Sequence, residues 1–154
     1  VTIDPDDQAH HQRIVAVLDC TLAHRHAVVA EWYGAAVHFA DAVIVTRRWE
    51  VPGQWLSKYL ATYTDAFYPC LFVNLLKNGS LANPAEVIEG EPLRMSHIFD
   101  EIDAVDEMEF DEDNLPDEPF DLVRLPDKYF ARDDYGRRLI SVPDIAETLR
   151  VEGR

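Results

Sequence analysis

The chain has 154 residues, 47% of them hydrophobic and 10% aromatic, with a formal net charge of -15. That length suits one domain spanning 1–154 with a true hydrophobic core. No apolar run reaches the ~20 residues a membrane-spanning helix needs, and no basic stripe is present to grip phosphate backbones, so neither a membrane nor a nucleic acid is an expected partner.

The opening VTIDPDDQAHHQR lacks the basic-then-apolar pattern of a secretory signal, which points to a cytoplasmic location. Val1 in place of Met leaves open that the sequence is a piece of something longer. Ile14 to Asp19 then form a short apolar run ending in a carboxylate, the pattern of a strand buried on both faces of a parallel sheet. From about Ala23 to Ala40, Val28, Val29, Trp32, Ala35, Ala36 and Phe39 recur at helical spacing, and Gly34 within that stretch suggests close packing on the sheet. Ala42 to Thr46 is a second β-branched run of strand length, followed by a loop from Arg47 to Glu50. Pro52 opens a second helix whose apolar side is Trp55, Leu56, Tyr59, Leu60 and Tyr63, and which should stop before Pro69. Cys70 to Leu76 reads as a third strand, closed by the turn signal Lys77-Asn78-Gly79-Ser80.

Strand, helix, strand, helix, strand with short connections predicts an α/β fold. The expectation is a three-layer domain with a parallel sheet built from βαβαβ units over 13–76. Ligands of such sheets sit beyond the carboxyl ends of the strands. The positions to watch are therefore Asp19 to Thr21, Thr46 to Glu50 and Asn74 to Gly79. A three-stranded sheet has exposed edges, so a protein partner or a homo-oligomer is expected to complete one.

The second half is irregular. Residues 83–88 and 93–102 have helical spacing, the latter with Met95, Ile98, Phe99 and Ile102 on its apolar side. Between Arg94 and Arg124 there is no Lys or Arg, yet twelve of the 29 acids lie there, leaving the rest of the chain nearly balanced at 17 acids against 14 bases. This acidic segment, 95–123, reads as a solvated loop anchored by Met108, Phe110, Leu115 and Phe120. Residues 124–154 read as C-terminal edge elements and a helix: a short strand from Leu122 to Leu125 leads into them, a second follows at Leu139 to Val142 after the turn Tyr135-Gly136-Arg137-Arg138, and a closing helix ends near Arg150.

The run Ile14 to Asp19, a helix, Phe39-Ala40-Asp41-Ala42-Val43-Ile44-Val45-Thr46, a second helix and a third strand resembles the later half of the nucleotide domain in CobW-type GTPases, over residues 13–76. In that family a strand ending in Val-Asp precedes a helix, an Ala-Asp pair and a strand carrying the guanine-reading Asn-Lys-x-Asp. The resemblance implies a nucleotide site, with GTP as ligand, near Asp19, Thr46, Arg47 and Arg48. The departures are clear. Thr46-Arg47-Arg48-Trp49 stands where the guanine motif belongs, no G-x-x-x-x-G-K-[ST] cradle occurs, and the family's Cys-rich metal motif is missing. What the resemblance then implies is a degenerate or truncated GTPase domain that does not hydrolyse GTP alone.

Side-chain chemistry leaves further options open. Arg47 and Arg48 suit a phosphate or carboxylate, or pair with acids of the same chain, and Trp49 either stacks on a ring or caps the core. Cys20, His24 and His26, with His10 and His11 upstream, offer a thiolate and imidazoles for zinc, although their spacing matches no standard pattern. Cys20 and Cys70 otherwise read as reduced core thiols. Asp133 and Asp134 read as a turn network rather than a general acid and base. With no catalytic set in view, the expected function is a non-catalytic α/β domain acting through protein contacts. The alternative is a nucleotide- or metal-binding protein with its ligand at the carboxyl ends of the strands.

Overall fold

Val15–Asp19 (β1), Ala42–Thr46 (β2) and Leu71–Asn74 (β3) make one parallel sheet in the order β1-β2-β3. The computed structural model describes residues 13–100 and 126–152. Val15 stands opposite Ala42 and Ala42 opposite Leu71, so the rows run straight across all three strands. Each predicted run lands on a strand because β-branched side chains fit a pleated surface and the flanking segments end the pairing.

The crossovers contain Cys20–Arg25 (α1), Ala27–His38 (α2) and Gly53–Asp65 (α3). The single helix expected over 23–40 is therefore two. His26 is extended at φ -127; its N–H closes α1 on the Leu22 carbonyl at 3.0 Å and its own carbonyl accepts from Val29 and Ala30. The break rotates the buried face to Val29, Tyr33 and Val37, leaving Trp32 only partly covered. Gly34 is not a close-packing site, since nothing lies within 4 Å of where its Cβ would stand. In α3 the predicted apolar side holds. Trp55 stacks on Tyr59 with centroids 4.9 Å apart, and Tyr59 and Tyr63 meet edge to face, extending the ring packing to Tyr68 and Phe72.

Both crossovers serve one face of the sheet. Ala16, Leu18, Val43, Val45 and Phe72 pack with Val29, Tyr33, Val37, Leu56 and Tyr63 in the core cluster. Neighbouring strands taken in sequence and linked by crossovers of one hand require this. The alternate rows, Val15-Ala42-Leu71 and Val17-Ile44-Val73, point the other way and contribute nothing to that cluster. Val15 is 39% and Val17 57% exposed. β1 is thus buried on one face, not on both as its apolar run suggested, because continuous hydrophobicity does not reveal which layers are present.

The amino ends of the strands converge on Asp41, which is fully buried. Its carboxylate accepts the Ile14 N–H at 2.6 Å, the Leu93 N–H at 3.1 Å and Arg94 Nη1 at 3.0 and 2.9 Å. Its backbone N–H donates to the Ile14 carbonyl at 2.8 Å, and its carbonyl accepts the Leu71 N–H at 3.0 Å. Pro84–Glu89 (α4) is the helix expected at 83–88. The helix expected at 93–102 is absent from its described part: Leu93 and Arg94 are drawn to Asp41, and this long-range demand overrides local spacing.

The chain divides into two compact units, residues 1–96 with 141–154, and residues 97–140. The first unit contains the sheet and also Ala146–Glu152 (α5), the predicted closing helix. Glu152 pairs with His26 at 2.7 Å and Arg25 at 3.0 Å, and these contacts hold its carboxyl below the usual range against the opposing pull of desolvation. In the second unit, Asp133 accepts from the backbone N–H groups of Tyr135 and Arg137 and from Arg137 Nε, so it organises the turn at Gly136 (φ 77). Leu139 to Val142 is not a strand. Leu139 N–H bonds to the Ala131 carbonyl at 3.0 Å, but Leu139 is 64% exposed and the pairing does not extend into a strand. Residues 101–125, with most of the acidic segment and the expected strand at 122–125, lie outside the described residues, as do His10 and His11. Among the described residues no helix is long and apolar enough to cross a membrane.

Removing one member of a buried ion pair leaves the other charge uncompensated. Arg94→Met is expected to lower the unfolding free energy by about 3–5 kcal/mol in urea titration. Asp41→Asn added to it should recover part of that loss, and full additivity of the two effects would contradict the pairing.

Candidate functional site

The carboxyl ends of the strands carry the candidate site, and the residues there divide into those bound to one another and those that face a groove. Asp19 belongs to the first group. As the last residue of β1 it caps α1: Oδ1 accepts from the N–H groups of Thr21 (3.0 Å) and Leu22 (3.2 Å) and from Thr21 Oγ1 (2.5 Å). Oδ2 forms an ion pair with Arg47, and the Asp19 N–H donates to the Tyr33 hydroxyl at 3.1 Å. Arg47 turns back because its backbone is left-handed at φ 50, an uncommon conformation for a side-chain-bearing residue. Thr46 Oγ1 donates to the Leu18 carbonyl at 3.1 Å. The structure thus brings Asp19, Thr46 and Arg47 together: Asp19 binds Thr21, Leu22 and Arg47, and Thr46 binds the Leu18 carbonyl, while the Arg47 side chain stays about half exposed.

Arg48 is different. It opens the 3-10 turn Arg48–Glu50 and lines a groove of about 300 Å3 with Trp49, Leu56, Leu75, Leu76 and Lys77. Two loops and α3 build it. Leu75 N–H bonds to the Val45 carbonyl at 2.9 Å, which prolongs β3 alongside β2. The chain then turns at Lys77 to Ser80, where Gly79 has φ 80, Leu76 N–H bonds to the Ser80 carbonyl at 2.9 Å and Asn78 Oδ1 accepts from Ser80. This turn brings the Lys77 ammonium to 5.9 Å from the centre of the Trp49 ring. The lining is mostly apolar, with Arg48 and Lys77 as its two cationic residues.

The proposed metal ligands are not gathered into a set. Cys20 is fully buried, His24 packs edge to face on Trp55 at 4.8 Å, and His26 is paired with Glu152. Among the described residues no three of His, Cys, Asp and Glu converge as metal ligands. Cys20 and Cys70 are both free and buried. Burial pushes each thiol up to about 11, with the positive charge of Arg48 pulling Cys20 the other way and a backbone hydrogen bond doing so at Cys70. Burial likewise raises the Tyr33 hydroxyl. Neither cysteine is a thiolate nucleophile at neutral pH.

Of the four residues assigned to a nucleotide, only Arg48 lines the groove. Lys77, Leu75 and Leu76 fall within the loop expected to matter, but Lys77 was legible only as part of a turn, and Leu56 only as part of a helix face. Tyr33, which reaches the last strand residue, had no distinguishing signal because the break at His26 moved it into register.

Comparison of the chain with family models, with curated proteins and with solved structures gives no match.

The raised thiol values predict that iodoacetamide leaves Cys20 and Cys70 unlabelled in the folded chain near neutral pH and labels both once the chain is unfolded. The linkage follows the same sign. Above the ordinary thiol value of 9.0 the unfolded chain releases these protons while the folded chain retains them. Folding stability should therefore fall as pH rises toward about 11, which denaturant titrations at alkaline pH would measure. Fast labelling of the native protein would contradict their burial.

Proposed function

We propose that this chain is a non-catalytic α/β domain that works through protein contacts, with β1 and its exposed Val15 and Val17 as the contact surface. The observation that carries this reading is the exposure of Val15 and Val17 on β1, an edge strand among the described residues. An edge strand presents unpaired N–H and C=O groups, and an adjoining apolar row adds a surface that water covers poorly. Val17, Ile44 and Val73 lie in one row across the sheet, with Val17 exposed and Ile44 and Val73 half-buried, so a partner seated on β1 meets Val17 with further hydrocarbon beside it. A layer laid on this face would give the three-layer arrangement that the βαβαβ order leads one to expect.

The simplest partner is a second copy of the chain pairing along β1 about a two-fold axis. The near balance of charge outside the acidic stretch is compatible with it. The likeness to the later half of a CobW-type nucleotide domain fits a binding role, because the chain has neither the phosphate cradle nor the guanine motif.

Light scattering on the full chain should give the mass of a dimer, and Val17→Lys, which sets a charge into the apolar row, should return the mass of one chain with an unchanged circular dichroism spectrum. A one-chain mass for the unsubstituted protein at the highest concentration reached would overturn the proposal.

A further inference from the structure

The groove at the carboxyl ends is not used by these protein contacts, and its chemistry is specific. Trp49, Leu56, Leu75 and Leu76 supply an aromatic surface and aliphatic walls, and Arg48 and Lys77 supply two positive charges on that same surface. Its volume of about 300 Å3 sits at the small end of the range for small-molecule sites. We infer that the groove binds a small amphipathic carboxylate, with the head group on Arg48 and Lys77 and the hydrocarbon or aryl body against Trp49 and the leucines.

Charge complementarity decides the sign of the ligand. Two cationic residues, Arg48 and Lys77, line one apolar groove and favour an anion, since any hydrogen bond they donate to it is charge-assisted. The apolar walls decide the rest. A polyphosphate carries several charges and needs many donors, whereas three of the six lining residues are leucines. Arg47, the further cation close by, is bound to Asp19, and the Thr46 hydroxyl is bound to the Leu18 carbonyl. A single carboxylate matches two cations, and its apolar body gains free energy by leaving water against Trp49 and the leucines. The Lys77 ammonium stands over the Trp49 ring at 5.9 Å, so the head-group site and the aromatic surface adjoin.

The test titrates the full chain with 4-phenylbutyrate, with octanoate, with the uncharged 4-phenylbutanamide and with GTP, following amide shifts in proton–nitrogen spectra. Both carboxylates should saturate shifts at Arg48, Trp49, Leu76 and Lys77, and the amide should bind about tenfold more weakly. Arg48→Gln and Lys77→Gln should each weaken phenylbutyrate severalfold and leave amide binding unchanged, which separates loss of the charge contact from misfolding. The inference is overturned if the amide binds as tightly as phenylbutyrate, if neither carboxylate saturates, or if GTP saturates the same residues more tightly.

Discussion

A single carboxylate sets the geometry of this domain. Asp41, fully buried just ahead of β2, accepts hydrogen bonds from the backbone before β1 and from Leu93, and pairs with Arg94. Its own backbone bonds to Ile14 on one side and Leu71 on the other, so all three strands start from one residue. Burying an ion pair gives little net stability, because desolvation consumes much of the attraction. Its effect is selective: a slipped register would leave a charge and several backbone donors without partners, at a cost larger than the margin by which small domains are stable. The straight rows across the sheet follow from that demand.

With the amino ends tied, the other features follow from topology. Sequential strands and crossovers of one hand bring α2 and α3 to the same face, where Leu18, Val43 and Val45 meet an aromatic ladder from Trp55 to Phe72. The opposite face retains the Val17-Ile44-Val73 row, and the carboxyl ends open into loops. The proposed protein contact and the proposed ligand groove therefore lie at separate places in one arrangement, and each rests on its own chemistry.

Much of the fold was legible because strands and one helix announce themselves locally. The runs at 14–19, 42–46 and 70–76 are β-branched and bounded, and the α3 ladder repeats at four-residue intervals after Pro52. What escaped depends on distant residues. Nothing in the spacing at 93–102 shows that Arg94 belongs to Asp41, which lies 53 positions earlier. Histidine is no helix breaker, so the turn at His26 between α1 and α2 leaves no mark in the apolar period. The rule that ligands gather at carboxyl strand ends did point to the loops holding Arg48, Trp49 and Lys77. It could not tell Arg47 from Arg48, because the difference is one left-handed backbone that turns the first toward Asp19 and leaves the second at the groove.

The central claim is that Asp41 fastens the strand starts, and native-state hydrogen exchange tests it most directly. The Ile14 and Leu93 amides, both donated to the Asp41 carboxylate, should exchange only through global unfolding and match the slowest amides of β2. Exchange of these two at the rate of the exposed turn at Asn78 and Gly79 would show that the strand starts are not held there, and the account would fail.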